Sequence, residues 1–207
     1  MRTTLHPDDL KQIAELNLQH YDNRAEEFWR GTADHDVSQN IAALLKYIEA
    51  TPPYAILDLG CGPGRDLKTF TELGHAPVGL DGCARFAEMA RAAGHEVWEQ
   101  NLLNLKLPPS RFDGVFANAV LFHVPSQELA RVLSELNTCL RTRGVLFSSS
   151  RTSAARSCAA QARSLAPPKA IRAAGPRAST LFCWYLNSSC LRLEKSCCDC
   201  SQRSLFV

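Results

Sequence analysis

Three glycines at alternate positions, Gly60, Gly62 and Gly64, follow the short apolar run Ile56-Leu57-Asp58-Leu59. Such a run fits a buried parallel strand. Glycines directly after it mark a tight turn, where the backbone takes positive φ and approaches a ligand with no Cβ in the way. Asp66 to Leu73 can follow as a helix whose N-terminus points free N–H groups and partial positive charge into the same space. Strand, glycine turn and helix in this order hold a nucleotide. One acid, Asp58, lies on the strand. A second, Asp81, ends the next apolar run 17 residues beyond Gly64. A carboxylate at such a strand end can accept from both ribose hydroxyls at once, so Asp81, with Gly82 beside it, is the expected ribose residue.

The dinucleotide fingerprint needs a third glycine five residues after the first, for close helix packing, and Arg65 stands there. A nicotinamide-dependent oxidoreductase is disfavoured on that ground. What is present, Asp58-Leu-Gly60-Cys61-Gly62-Pro-Gly64, closely resembles the first motif of class I S-adenosylmethionine-dependent methyltransferases, and the resemblance runs from about Tyr21 to Ser149. It implies an α/β fold with a Rossmann-like, doubly wound, mostly parallel sheet. It also implies S-adenosylmethionine as cofactor, with the turn from Gly60 through Cys61 and Gly62 to Gly64 cradling the amino acid end and Asp58 orienting the turn.

The elements that must position these residues are readable on both sides of the turn. Pro7 to Gln19 carries Leu10, Ile13 and Leu16 at helical spacing, with Pro7 suited to a first helical position and Asp8 and Asp9 to the first turn. Tyr21 to Trp29 resembles the aromatic, basic N-terminal segment that many of these methyltransferases fold over cofactor and substrate, which makes Tyr21 and Trp29 candidate substrate contacts. Packing of Phe28 and Trp29 on the sheet edge is the alternative. Asp36 with Gln39 reads as a capping box for a helix with an apolar stripe at Val37, Ile41, Leu44, Leu45 and Ile48. The prolines of Thr51-Pro-Pro-Tyr54 end it.

Beyond the turn, Ala76 to Leu80 reads as the second strand, Cys83 to Ala93 as a helix with Phe86 and Met89 in the core, and His95 to Glu99 as the third strand. Asn101 and Leu102 fall where the family often carries an acid for the adenine amino group. The Asn101 amide oxygen can accept that bond or serve a turn. Phe112 to Pro125 resembles the fourth strand and its loop, so Asn118 is expected at the cofactor, and Phe122 and His123 near cofactor or acceptor. Ser126 caps a helix bearing Leu129, Val132, Leu133, Leu136 and Leu140, and Gly144 to Ser148 makes the fifth strand.

Past Ser150 the resemblance stops. Residues 1–150 hold 14 Lys and Arg against 19 Asp and Glu, while residues 151–207 hold 9 against 2. The expected division is a cofactor-binding methyltransferase domain over 1–150 and a basic, Cys-rich tail over 151–207, partly disordered. Within the tail, 151–178 is expected to be flexible. Thr180 to Leu186 and Cys190 to Leu193 offer a poor version of the last two strands, so the C-terminal strands are the doubtful part of the sheet. Cys197-Cys198-Asp199-Cys200 lacks zinc-ligand spacing, and no metal is expected.

With 207 residues, 45% hydrophobic and 21% charged, the chain has the balance of one globular domain. It has no apolar run of membrane-helix length and no signal-peptide core, so no membrane partner and a cytoplasmic location are expected. The tail's charge alone gives no case for specific nucleic-acid binding. A sulfonium methyl is an activated electrophile, so a methyltransferase chiefly places a nucleophile in line and excludes water. Where the acceptor must lose a proton, His123 is the candidate base and His35 the second, since imidazole titrates near neutrality. A packing role is the alternative for His123. The expected function is methyl transfer from S-adenosylmethionine to a small molecule. Its rival is a cofactor-binding protein impaired in turnover by its C-terminus.

Overall fold

The computed structural model describes residues 4–150, 180–187 and 190–194. Seven strands form one sheet in the order β3-β2-β1-β4-β5-β6-β7. The strands β1 (Ala55–Leu59), β2 (Ala76–Asp81), β3 (Val97–Glu99), β4 (Phe112–Asn118) and β5 (Leu140–Ser150) are mutually parallel. A hairpin of β6 (Thr180–Asn187) and β7 (Cys190–Glu194) adds to β5 in antiparallel pairing. An antiparallel neighbour requires no right-handed helical crossover, which is why β5 is paired although no helix pattern precedes β6. The expectations for 151–178 and for the Cys197–Cys200 cluster lie outside the described residues.

Alternation along β1 sorts the two layers. Leu57 and Leu59 enter one core with Val115, Leu146 and the buried face of α6 (Leu129–Cys139), namely Val132, Leu133 and Leu136. Ile56 points to the opposite core, with Phe70 of α4 (Arg65–Glu72), Ile41 and Leu44 of α3 (Ser38–Leu45), Phe116 and Phe147. Phe116 stacks on Phe147 with centroids 5.0 Å apart, and Phe70 meets Phe116 edge-on at 5.3 Å. Each fully buried ring contributes about 1.5–3 kcal/mol, so the central strands are the stable frame on which the turn stands. Helix α5 (Ala84–Ala92) packs on β2 and β3 through Ala87 and Ala90.

Several local expectations change. The segment after α1 (Pro7–Asp22) is itself helical, as α2 (Ala25–Thr32). On α1, Ile13 and Leu16 are exposed at 37% and 58%, and the covered face runs through Leu10, Ala14, Leu18 and Tyr21. The expected stripe was out of phase because the chain offers apolar residues on two faces and only the cavity beneath selects one. Helix α3 starts at Ser38 without a side-chain cap. Asp36 accepts instead from the Ser38 N–H at 2.9 Å in a local turn. Likewise α6 begins after Glu128, without a cap from Ser126, and ends at Cys139, so that Leu140 opens β5. Within β5, Arg143 takes a positive φ of 66°.

Candidate functional site

The glycine turn is tied to the end of β2 at three points. The N–H groups of Gly60 and Cys61 donate to the Leu80 carbonyl at 2.7 and 3.2 Å, and the Gly62 N–H donates to Asp81 Oδ2 at 2.9 Å. Gly60 and Gly62 have φ of +70° and +55°. A Cβ on Gly60 would lie 2.4 Å from Val120, whereas one on Gly62 would meet only Phe28, at 3.8 Å, over the open cavity. That cavity, of about 490 Å³, lies at the carboxyl ends of β1, β2 and β4 under α1 and α2. A strand order that reverses direction between β1 and β4 leaves a crevice there.

Asp81 does more than the sequence assigned to it. Its Oδ1 accepts from the Cys83 N–H at 2.9 Å while Oδ2 holds Gly62, so the carboxylate fastens the turn to the start of α5. Burial pushes this carboxyl up, against the pull of the N–H groups of Cys83, Gly62 and Gly82. At Gly82 the chain passes close under α1, where a Cβ would come within 2.8 Å of a Leu18 methyl group. The thiol of Cys61 is packed in a small core with Leu67, Ala87 and Ala90.

Two residues expected at the cofactor do not line the cavity. Asp58 is 1% exposed beneath the turn, and its Oδ2 has no hydrogen-bond partner among the described residues. Burial holds it well above the usual carboxylate range, with Asp66 adding to the rise and Arg65 opposing it. Gly64 has φ +97°, and a Cβ there would press on Ala90 and His95 at 3.1 and 3.2 Å. Its glycine serves the packing of α4 against α5.

The expected residues Tyr21, Trp29, His35, Phe122 and His123 all reach the cavity, as do Asn101, Leu102 and Asn118. The Asn101 oxygen accepts from the Leu103 N–H at 2.8 Å and caps a 3-10 turn, Leu102–Asn104, which is the turn role. The Tyr21 hydroxyl lies 3.2 Å from His123 Nε2, with the rings edge to face, and Phe28 and Phe86 support the tyrosine from its other sides. Burial raises Tyr21 and lowers His123. Burial thus favours the neutral form of both, and the tautomer of the imidazole sets which of the two donates across the contact.

Sequence reasoning missed Ala14, Asn17 and Leu18 of α1, Thr32, Arg65, Asp66 and Phe86. Arg65 forks onto Asp66 with contacts of 2.7 and 2.9 Å and donates to the Thr32 carbonyl at 3.0 Å, joining α4 to the end of α2. The side chain that breaks the dinucleotide fingerprint was itself the available signal. Phe86 was assigned to the core. It is 4% exposed and also borders the cavity.

Among the described residues no group of three or more His, Cys, Asp and Glu could hold a metal ion, and no helix is long and apolar enough to cross a membrane. Residues 57–148 match the family described as methyltransferase domain. The glycine turn, the cavity and this match together mark a class I S-adenosylmethionine-dependent methyltransferase domain. Trans-aconitate 2-methyltransferase of Azoarcus sp. (strain BH72) is 36% identical over 106 residues, covering 50% of this chain and 41% of that protein. Probable tRNA methyltransferase 9B of Bos taurus is 36% identical over 93 residues, covering 41% of this chain and 20% of that protein. The chain thus spans well under half the length of these relatives. In fold it is similar to 1,6-didemethyltoxoflavin-N1-methyltransferase of Burkholderia thailandensis, solved with bound 1,6-didemethyltoxoflavin and S-adenosylhomocysteine. The TM-score is 0.57 and the identity 23%, over 72% of this chain and 66% of that one.

Proposed function

We propose that this chain binds S-adenosylmethionine in the cavity under α1 and α2 and transfers its methyl group to a small-molecule acceptor. The observation that carries the reading is the glycine turn. Its Gly62 is open toward a cavity of about 490 Å³, within the usual range for a small-molecule site, and Asp81 fastens the turn at the rim. The residues fit the group: Gly60, Gly62 and Pro63 offer backbone to an amino acid end, Asp81 faces the position of a ribose, and Asn101 to Leu103 line the adjoining wall. When bound, S-adenosylmethionine supplies an electrophilic methyl on a sulfonium.

What the protein adds is placement, exclusion of water and a proton path. Helices α1 and α2 cover the cavity with Leu18, Tyr21, Phe28 and Trp29. Enclosure of this kind strengthens every polar contact inside. An acceptor O–H or N–H can pass its proton to the Tyr21 oxygen as the phenol passes its own to His123 Nε2, leaving imidazolium. A small-molecule acceptor is favoured by the covered cavity and by the likeness to the trans-aconitate enzymes, whose named acceptor is the first to try. The division into a methyltransferase domain over 1–150 and a separate tail belongs to the same proposal.

The test is isothermal titration with S-adenosylmethionine and S-adenosylhomocysteine, followed by transfer of labelled methyl to metabolite fractions. Binding with transfer is expected. Absence of binding to both compounds overturns the reading, and binding without transfer to any fraction leaves the rival, a cofactor-binding protein without turnover.

A further inference from the structure

Asn118 ends β4 at the cavity wall, and its amide is held in one orientation by residues on two other elements. Its Oδ1 lies 2.5 Å from Ser149 Oγ on β5 and 3.0 Å from Asn40 Nδ2 on α3. Which amide atom faces these partners follows from what they can give. Ser149 Oγ already accepts from the Ala119 N–H at 3.0 Å, so its hydrogen is free to donate toward Asn118, and 2.5 Å suits O–H···O rather than N–H···O. Asn40 presents its NH₂ to the same atom. Two donors converge on one point, and the atom there is the carbonyl oxygen. The NH₂ of Asn118 is thereby turned away from them.

The arrangement is built rather than incidental. Ala119, the next residue, has φ +56°, a left-handed conformation rarely adopted by a non-glycine residue, and the hydroxyl that holds its N–H is the one that holds Asn118. Asn118 and Ala119 line the cavity, while Asn40 and Ser149 do not. Asn118 thus stands at the wall with its amide set from behind.

We propose that Asn118 is a donor-only subsite for a carboxylate, and that Asn40 and Ser149 are the positioning residues that keep its NH₂ toward the ligand. This rests on the cavity being the site of cofactor and acceptor. The carboxylate belongs either to the methyl acceptor or to the amino acid end of the cofactor. A protonated amine at this point would meet donors and be excluded.

The experiment compares the full chain with N118D, which keeps the oxygen for Ser149 and Asn40 and replaces the NH₂ by a second oxygen, and with N40D, which reverses the donor from outside the cavity. Each is titrated with S-adenosylhomocysteine and with 5′-methylthioadenosine, which lacks the amino acid end. Each is then tested, with S-adenosylhomocysteine bound, against trans-aconitate, succinate and benzoate by ligand-observed NMR. If the carboxylate is the cofactor's, both variants lose about tenfold or more in affinity for S-adenosylhomocysteine and none for 5′-methylthioadenosine, the size expected for a hydrogen bond to a charged group. If it is the acceptor's, both nucleosides bind unchanged and at least one carboxylate that binds the wild type is lost from both variants. A variant with a lowered melting temperature is replaced by S149A, which should move the same affinities in the same direction. Equal losses for both nucleosides, or unchanged binding of every compound, overturn the proposal. Failure of the wild type to bind either nucleoside overturns the site reading itself.

Discussion

Replacing Asp81 by alanine removes two acceptors at once, one from Gly62 in the turn and one from Cys83 before α5, each at 2.9 Å. A hydrogen bond to a charged group contributes about 1.5–3 kcal/mol, and water replaces part of that at a cavity rim, so the pair is expected to cost about 3 kcal/mol in stability. For a domain of this size, at roughly 2–4 °C per kcal/mol, the melting temperature should fall by about 6–12 °C. Loss of the proposed ribose contact should weaken S-adenosylmethionine binding by about 1–3 kcal/mol, or about 5- to 150-fold. Asp81→Asn keeps one acceptor oxygen and sheds the cost of a buried charge, so it should lose less than half of that stability. Differential scanning calorimetry and isothermal titration read the two effects separately. An alanine variant that melts within about 2 °C of wild type and binds the cofactor equally well would refute the argument, given that each bond should be worth over 1 kcal/mol.

Gly60→Ala, with a Cβ 2.4 Å from Val120, should abolish cofactor binding. Gly74→Ala, at φ +82° with nothing within 4 Å, should cost only about 1 kcal/mol of backbone strain and leave binding intact, as read by denaturant melts and titration. Burial lowers His123, so its base form persists below the ordinary histidine value. The acid limb of kcat/KM should therefore fall below about pH 6.5, and it should disappear in His123→Asn. Burial and the Asp22 carboxylate push the Cys83 thiol up to about 12, so iodoacetamide at pH 8 should spare it in the folded protein. Asp22→Ala, which removes the acceptor for both that thiol and the Arg85 N–H, should speed its labelling.

The glycine turn was legible in the sequence because its causes are local. An apolar strand, three glycines that must take positive φ and a helix start lie within a few residues of one another, and no distant contact is needed to recognise them. The parallel sheet followed from the same alternation of strand and helix. Asp81, at the end of β2, and His123, in the loop after β4, were expected at the cavity from their places relative to the strands, and both line it. Tertiary structure decided what each glycine is for: Gly60 yields to Val120, Gly62 leaves room over the cavity, and Gly64 lets α4 approach α5. It also decided the face of α1, since Ile13 and Leu16 are as apolar as Leu10 and Leu18 but only the latter have something beneath them. The partners of Asn118 stand 78 and 31 residues away, and His123 lies 102 residues from Tyr21. Spacing along the chain carries no record of such pairs, because each depends on a hydrogen bond formed only after separate elements have docked on the sheet.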